Sequence, residues 1–560
     1  MTALSQARVP RATLARPASN TVTAFVLLVG LLGLAIWSLT GVGLSLEQLQ
    51  RGLAYAPQFL ARTVPFVWPS FGELSWLSAL TLSIVICGTV MAALISIPVA
   101  YLAARNTTSN ALTRWIGRFL SVTSRAAPDA IMALIFATIL GQGSLAGILA
   151  LGIHSVGMIS KLTADAIEQI DEGPRLALRA AGASKSQEFW GAIWPQIMPA
   201  FIAIVLHRTD INLRVSVILG FVGVAGLGYE LSHALGTLNY REAMPYAITI
   251  FVLCVAFEIL SSAVRKTLLG VQPTGRGIGD RVMRLTAKTQ KSVSTVAATI
   301  DARRRPWDRD RRQTTGFAWG AIVAIVASIV IAANQTGATP NFWLNFNIAI
   351  NRLWPPALAS TKWESTAVAF LETVQIALAA TLVALVFSLV IGAFAARNVA
   401  PNAATRGGFR FLLVLIRGLP ELLLAILFII LIGLEPSAAV LALGIGGIGL
   451  LGKLVADSLE EVKPGPERAL RATGATRLQI FGSATLPQAA PAFVGHILYL
   501  LDTNLRAATI LGIIGAGGIG YQLAGAARID QSEMLFLLIC LMLIVYLLEG
   551  LSSWIRRLVK

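Results

Sequence analysis

Residues 173–183 read GPRLALRAAGA, and residues 465–475 read GPERALRATGA, the second glycine-proline following the first by 292 positions. The same offset aligns AARN at 103–106 with AARN at 395–398. It also pairs Arg125 and Pro128 with Arg417 and Pro420, and Asp210, Asn212 and Arg214 with Asp502, Asn504 and Arg506. Between Gly173 and Leu231 the register runs without a gap, so the chain is read as two tandem copies of one unit.

The unit is a membrane one. Of the 560 residues, 56% are hydrophobic and only 13% charged, about half the charge of soluble domains; the mean hydropathy is +0.72. Crossing a bilayer takes roughly 20 apolar residues as a helix. Such runs stand near 22–39, 76–102, 126–140, 146–167, 199–222 and 243–268 in the first half. In the second they stand near 316–333, 365–394, 411–434, 437–455, 491–514 and 534–558. The fold class expected is an all-α integral membrane protein of about twelve transmembrane helices, as two tandem six-helix repeats. The boundaries are a basic tail at 1–21, a first repeat at 22–268, a basic linker at 269–315 and a second repeat at 316–560. The first run follows Arg8, Arg11 and Arg16 without a clear small-residue cleavage site, and is read as a retained signal anchor.

Charge sets the orientation. One set of loops carries Arg105, Arg114, Arg118 and Arg125, then Arg175, Arg179 and Lys185; its second-half members are Arg397, Arg406, Arg410 and Arg417, then Arg468, Arg471 and Arg477. The opposite loops hold little beyond Arg51, Arg62, Arg241, Arg352, Lys362 and Arg528. By the positive-inside bias the basic side is cytoplasmic, with both termini on it and both halves oriented alike. Two like-oriented copies form a parallel repeat about an axis normal to the membrane. The net charge of +17 thus reports topology, with no nucleic-acid partner expected. Arg303, Arg304, Arg305, Arg309, Arg311 and Arg312 make the linker a solvated tether able to meet anionic lipid.

The repeated segment at 173–195 has the grammar of a helix–turn–helix. Gly173 and Pro174 open a helix, Ala177, Leu178 and Arg179 continue it, Gly182 and Ala183 end it, and Pro195 returns the chain to the membrane. Gly465, Pro466, Ala469, Leu470, Arg471, Gly474, Ala475 and Pro487 repeat the pattern. Small residues on an exposed turn suit close docking of another surface, or a plain connector.

This segment resembles the coupling loop of ABC importer permeases, which in that family docks on a separate ATPase subunit. The family's leading Glu is replaced by Leu176 and Arg468. The run from Asp210 through Leu219, Gly220, Gly223, Gly226, Gly228 and Tyr229, its copy from Asp502 to Tyr521, and Arg417 to Ala425 resemble phosphonate-type permeases. The resemblance spans nearly all of both halves. It implies a fused permease for phosphonate, phosphite or phosphate in a bacterial cytoplasmic membrane. It further implies an ATP-binding cassette ATPase dimer carrying ATP and Mg, and an extracytoplasmic substrate-binding protein. An ion-coupled secondary transporter of small anions is the alternative that a six-plus-six repeat allows.

No catalytic or metal set is expected on the chain. Residues 447–453 imitate a phosphate-binding loop, but Leu454 stands where Ser or Thr is needed, and the glycines at 515–520 suit a tight turn or close helix packing. Cys87, Cys254 and Cys540 lie far apart in apolar runs and are read as packing residues. Ionisable groups inside the spans are the pathway or gate candidates, because burial there is costly without a partner or water. Asp210 and Arg214, like Asp502 and Arg506, are spaced to share one helix face; each is a structural ion pair or a lining for an oxyanion, which a guanidinium binds in bidentate fashion. Asn212 and Asn504 point away from them, by about 160–200° around the helix. Asp129 and Glu421 are expected to form an inner gate or a boundary pair with Arg125 and Arg417. His154, opposite Gly446, is read as a packed histidine.

Overall fold

The computed structural model describes residues 19–108, 110–141, 143–269, 309–335 and 342–559. Most of the basic tail and the linker, including Arg303, Arg304 and Arg305, therefore lies outside the described residues. Helix is the only regular structure among those described, as lipid demands, because a helix satisfies its backbone polar groups internally.

The first repeat runs α1 (Ser19–Gly41), α2 (Leu46–Thr63), α3 (Phe71–Ala103), α4 (Ala111–Ala126), α5 (Asp129–Leu140), α6 (Ser144–Glu168), α7 (Glu172–Ala180), α8 (Lys185–Glu188), α9 (Trp194–Gly220), α10 (Leu227–Gly236) and α11 (Tyr240–Leu269). The second runs α12 (Arg309–Ala333), α13 (Phe342–Leu353), α14 (Trp363–Ala395), α15 (Ala403–Gly418), α16 (Glu421–Ile432), α17 (Pro436–Glu460), α18 (Pro464–Ala472), α19 (Arg477–Ile480), α20 (Leu486–Ile513), α21 (Gly518–Ile529) and α22 (Gln531–Val559). Each helix of the first repeat thus has its partner eleven labels later, and for α3 to α8 the bounds coincide at the offset read from the sequence.

Among the described residues, ten helices are long and apolar enough to cross a membrane, and two bent pairs raise the number to as many as twelve. The bent pairs correct the sequence reading. The run at 411–434 is not one straight span: α15 and α16 meet at 80°, and α4 and α5 at 85°. The cause is local. Pro128 and Pro420 force their predecessors, Ala127 and Leu419, into extended backbone, which the proline ring favours over helix. The amphipathic helices α2 and α13 were also not anticipated, being too short and too polar to stand out as apolar runs.

Small residues carry the central packing. Ser96 of α3 donates to the Val156 carbonyl of α6 (3.2 Å), and Ser388 of α14 donates to the Ile448 carbonyl of α17 (3.4 Å). A Cβ on Gly392 would stand 2.7 Å from the Gly452 carbonyl oxygen, so these backbones approach as only small residues permit. The halves are interleaved. Helix α1 packs on α14 and α22, α12 packs on α3, α2 on α16 and α13 on α5. The largest buried core accordingly mixes Ile84, Leu151 and Leu213 with Ile376 and Leu443.

Candidate functional site

The two repeated segments form matching exposed hooks. Asp171 accepts from the Gly173 amide (2.9 Å) at the start of α7. Gly182, at φ +80°, ends the turn and the Ala183 amide reaches back to the Leu178 carbonyl (3.0 Å). Ser184 and Gln187 then close a reciprocal cap on α8. In the second copy Gly474 also has φ +80°, Ala475 bonds to Leu470 (3.1 Å), and Thr476 with Gln479 forms the same cap. A five-residue π-helical turn, 189–193 or 481–485, leads each hook into α9 or α20, with Pro195 and Pro487 in the first turn. Gly173, Pro174, Ala177, Arg179 and Gly182 are exposed, as are Gly465, Pro466, Ala469, Arg471 and Gly474; Leu178, Leu470, Ala183 and Ala475 are half-buried.

Each hook is anchored from below. Asn106 donates to the Ile167 carbonyl at the end of α6 (2.7 Å) and to Glu172 (2.8 Å). Asn398 does the same with Leu459 (2.7 Å) and Glu467 (3.1 Å). The Arg105 and Arg397 amides bond to Glu168 and Glu460. The repeated AARN is therefore a clamp holding the hook to the bundle. Beyond it the hooks differ: buried Arg175 joins Glu172 (3.0 Å) and Glu188 (3.5 Å) in the first, while Thr485 donates to Glu467 (2.6 Å) in the second.

Inside the bundle the predicted charges gather into two clusters that cross between the halves. Arg214 meets Asp210 (2.9 Å) and Glu258 of α11 (3.3 Å), and Arg417 from the second half reaches Glu258 (3.6 Å) and Asp210 (3.8 Å). Reciprocally, Arg506 meets Asp502 (2.8 Å), and Arg125 from the first half pairs with Glu549 of α22. The Arg506 guanidinium also faces the Arg125 carbonyl at 3.5 Å. Arg125 and Arg417, counted above with the basic loops, are thus drawn inside, Arg125 being buried. Asp129 and Glu421 do not join them. They sit beyond the bends at the first turns of α5 and α16, and neither forms an ion pair among the described residues. Asn212 and Asn504 are buried, donating to Thr89 of α3 and Thr381 of α14 (2.9 Å each).

The decoys fall away. Residues 447–453 lie within the continuous helix α17, and a Cβ at Gly520 would stand 1.8 Å from the Thr509 carbonyl oxygen, so that glycine serves helix contact.

Three participants escaped the sequence reading: Glu258, Glu549 and Arg208. The two glutamates occupy nearly equivalent places near the ends of their apolar runs, one residue out of register with the repeat. Arg208 lies in the fifth span, where the second copy has Leu500, and that break in the repeat was a usable signal.

The family described as binding-protein-dependent transport system inner membrane component matches residues 96–269 and again 388–560. The phosphate-import permease protein PhnE of Mycolicibacterium smegmatis is 38% identical over 498 residues, covering 89% of this chain and 88% of that one. The phosphite transport system permease protein PtxC of Stutzerimonas stutzeri is 40% identical over 201 residues, covering 35% of this chain and 73% of its own length. An inward-facing structure of the MetNI methionine ABC transporter aligns over 36% of this chain and 100% of that chain at 22% identity, with a TM-score of 0.34.

Proposed function

Because the chain belongs to the family of binding-protein-dependent transport system inner membrane components, matched once in each half, we propose that it is a fused permease of an ATP-driven importer for phosphonate, phosphite or phosphate. The observation that carries the substrate class is its identity with a phosphate-import permease along nearly the whole chain. The two exposed hooks are the surfaces on which a cytoplasmic ATPase dimer, carrying ATP and Mg, docks. An extracytoplasmic binding protein delivers the anion at the opposite end. The membrane is the bacterial cytoplasmic one, with both termini inside.

The geometry supports a two-lever mechanism. Each hook is clamped to α6 or α17 and runs through a π-helical turn into α9 or α20, so a displaced hook carries its long helix with it. Those two helices bear the crossed charge clusters. Rocking one half against the other must lengthen the contacts of Arg417 to Asp210 and Glu258, and of Arg125 to Glu549. Because each contact is an ion pair between halves, opening and closing pass between discrete arrangements.

The test is uptake into proteoliposomes holding this chain, its ATPase and its binding protein, with ATP on the ATPase side. Labelled phosphate, phosphite and methylphosphonate are compared with sulfate and methionine. Saturable ATP-dependent uptake of at least one phosphorus oxyanion is expected, with sulfate and methionine excluded. Uptake driven by an ion gradient alone, indifferent to ATP, contradicts the reading.

A further inference from the structure

The repeat is broken at a pair of contacting positions. In the first half Arg208 of α9 donates through Nε to the Ser155 hydroxyl of α6 (2.8 Å). Asn212 holds that hydroxyl in turn, its amide nitrogen 3.0 Å away. In the second half the same two positions are Leu500 and Gly447, and a Cβ on Gly447 would stand 3.3 Å from Leu500. One half thus fills the place with a leucine against a glycine, and the other installs a guanidinium on a serine.

That guanidinium is not used up by the fold. Arg208 is 6% exposed, its Nη2 has no hydrogen-bond partner, and no carboxylate among the described residues comes within ion-pair distance. Leaving such a group buried in a membrane protein is costly. It lines a cavity of about 410 Å³ between the halves, walled on the far side by Leu450, Leu454 and Leu498. Arg208 stands 14 residues into α9, about 21 Å along that helix, hence deep in the bundle. The cavity's charged lining is otherwise Arg125, Lys161, Asp165, Asp502, Glu549 and Arg556. Pairing of Arg125 with Glu549 and of Arg506 with Asp502 leaves Lys161, Arg208 and Arg556 with Asp165 as the remaining carboxylate of the lining, while buried Asp129, outside the lining and beyond ion-pair distance, offsets part of the Arg208 charge. At about 30 Å³ per water, the space takes a small anion with part of its hydration shell.

We propose that Arg208 is the anion-coordinating residue of a site for a small tetrahedral oxyanion in this cavity, contributed by the first half alone. Its unpaired guanidinium edge offers donors spaced for two oxygens of one anion, Ser155 and Asn212 fix its orientation, and Lys161 and Arg556 supply the surrounding positive field. Which oxyanion occupies it rests on the substrate reading above; that an oxyanion does so rests on the cavity.

The test is equilibrium binding of labelled phosphate, methylphosphonate and sulfate to the full chain in lipid nanodiscs, without partners, with thermal unfolding measured on the same samples. The wild type is expected to bind at least one of the three saturably. Ser155→Gly/Arg208→Leu copies the packing of the second half and is expected to keep the unfolding temperature while weakening binding at least tenfold. Arg208→Lys keeps the charge but loses the planar fork, and a three- to tenfold weakening is expected. Should the double variant unfold, the lysine variant decides by itself. Saturable binding of sulfate alone supports the site while contradicting the phosphorus reading. Absence of saturable binding in the wild type, or affinities within twofold in the folded variants, overturns the proposal.

Discussion

Arg417 illustrates what a single residue does in this molecule. Supplied by the second half, it stands with Arg214 against Asp210 and Glu258 of the first. Removing one partner from a buried ion pair costs about 3–5 kcal/mol, whereas replacing a pair whole is often near neutral. Arg417→Met leaves one negative charge in excess, and a marked fall in unfolding temperature is expected. Arg417→Met/Glu258→Gln restores neutrality and is expected to recover most of the loss; a double variant no better than the single contradicts the pairing. Half of this cluster was legible beforehand. Asp210 and Arg214 meet because four residues of helix bring side chains together, which any sequence displays. That Arg417 joins them, rather than Glu421 four residues on, depends on packing between elements some 200 residues apart. No local spacing encodes it.

Among the elements, the bends at Pro128 and Pro420 matter most. They turn what reads as one apolar run into two helices at 85° and 80°, and they bring Arg125 and Arg417 into the charge clusters while Asp129, equally buried, and Glu421 stay out of those ion pairs. The apolar run Phe411–Leu434 is interrupted at Arg417, Gly418, Pro420 and Glu421, and of these Pro420 is the signal for the bend. Because Leu419 is extended, Pro420→Ala removes the steric restraint that holds it so. Spin labels at exposed Leu412 and Leu427 are expected to report a longer and broader distance distribution in that variant, as straightened conformers become populated, and ATP-dependent uptake is expected to fall at least fivefold. An unchanged distribution would place the cause of the bend in tertiary packing instead. The hooks were read far better than the bends. Their caps, glycine turns and returning prolines are local chemistry stated twice in one chain.

The whole molecule is two copies that do not stand side by side but embrace. Each repeat lends its first helices to the other, α1 to α14 and α12 to α3, and an arginine to the other's charge cluster. Repetition at a fixed offset announced two units of one orientation, yet gave no hint of this exchange, since a helix of uniform apolarity carries no label for its neighbour. On the proposed reading, the interleaving lets force applied at either hook reach both halves. Both hooks turn on a glycine at φ +80° with nothing within 4 Å of where a Cβ would stand. A β-branched residue there meets no described neighbour of its own chain, only the backbone cost of about 1–2 kcal/mol for left-handed geometry and, on the proposed reading, the surface of a docked ATPase. The most direct measurement is therefore ATP-dependent uptake in the reconstituted complex for Gly182→Val/Gly474→Val beside Gly182→Asn/Gly474→Asn, asparagine being tolerant of that conformation. Uptake is expected to be lost in the valine variant, with the chain still folded in the bilayer, and largely kept in the asparagine variant. Full ATP-dependent uptake by the valine variant would contradict docking at the hooks.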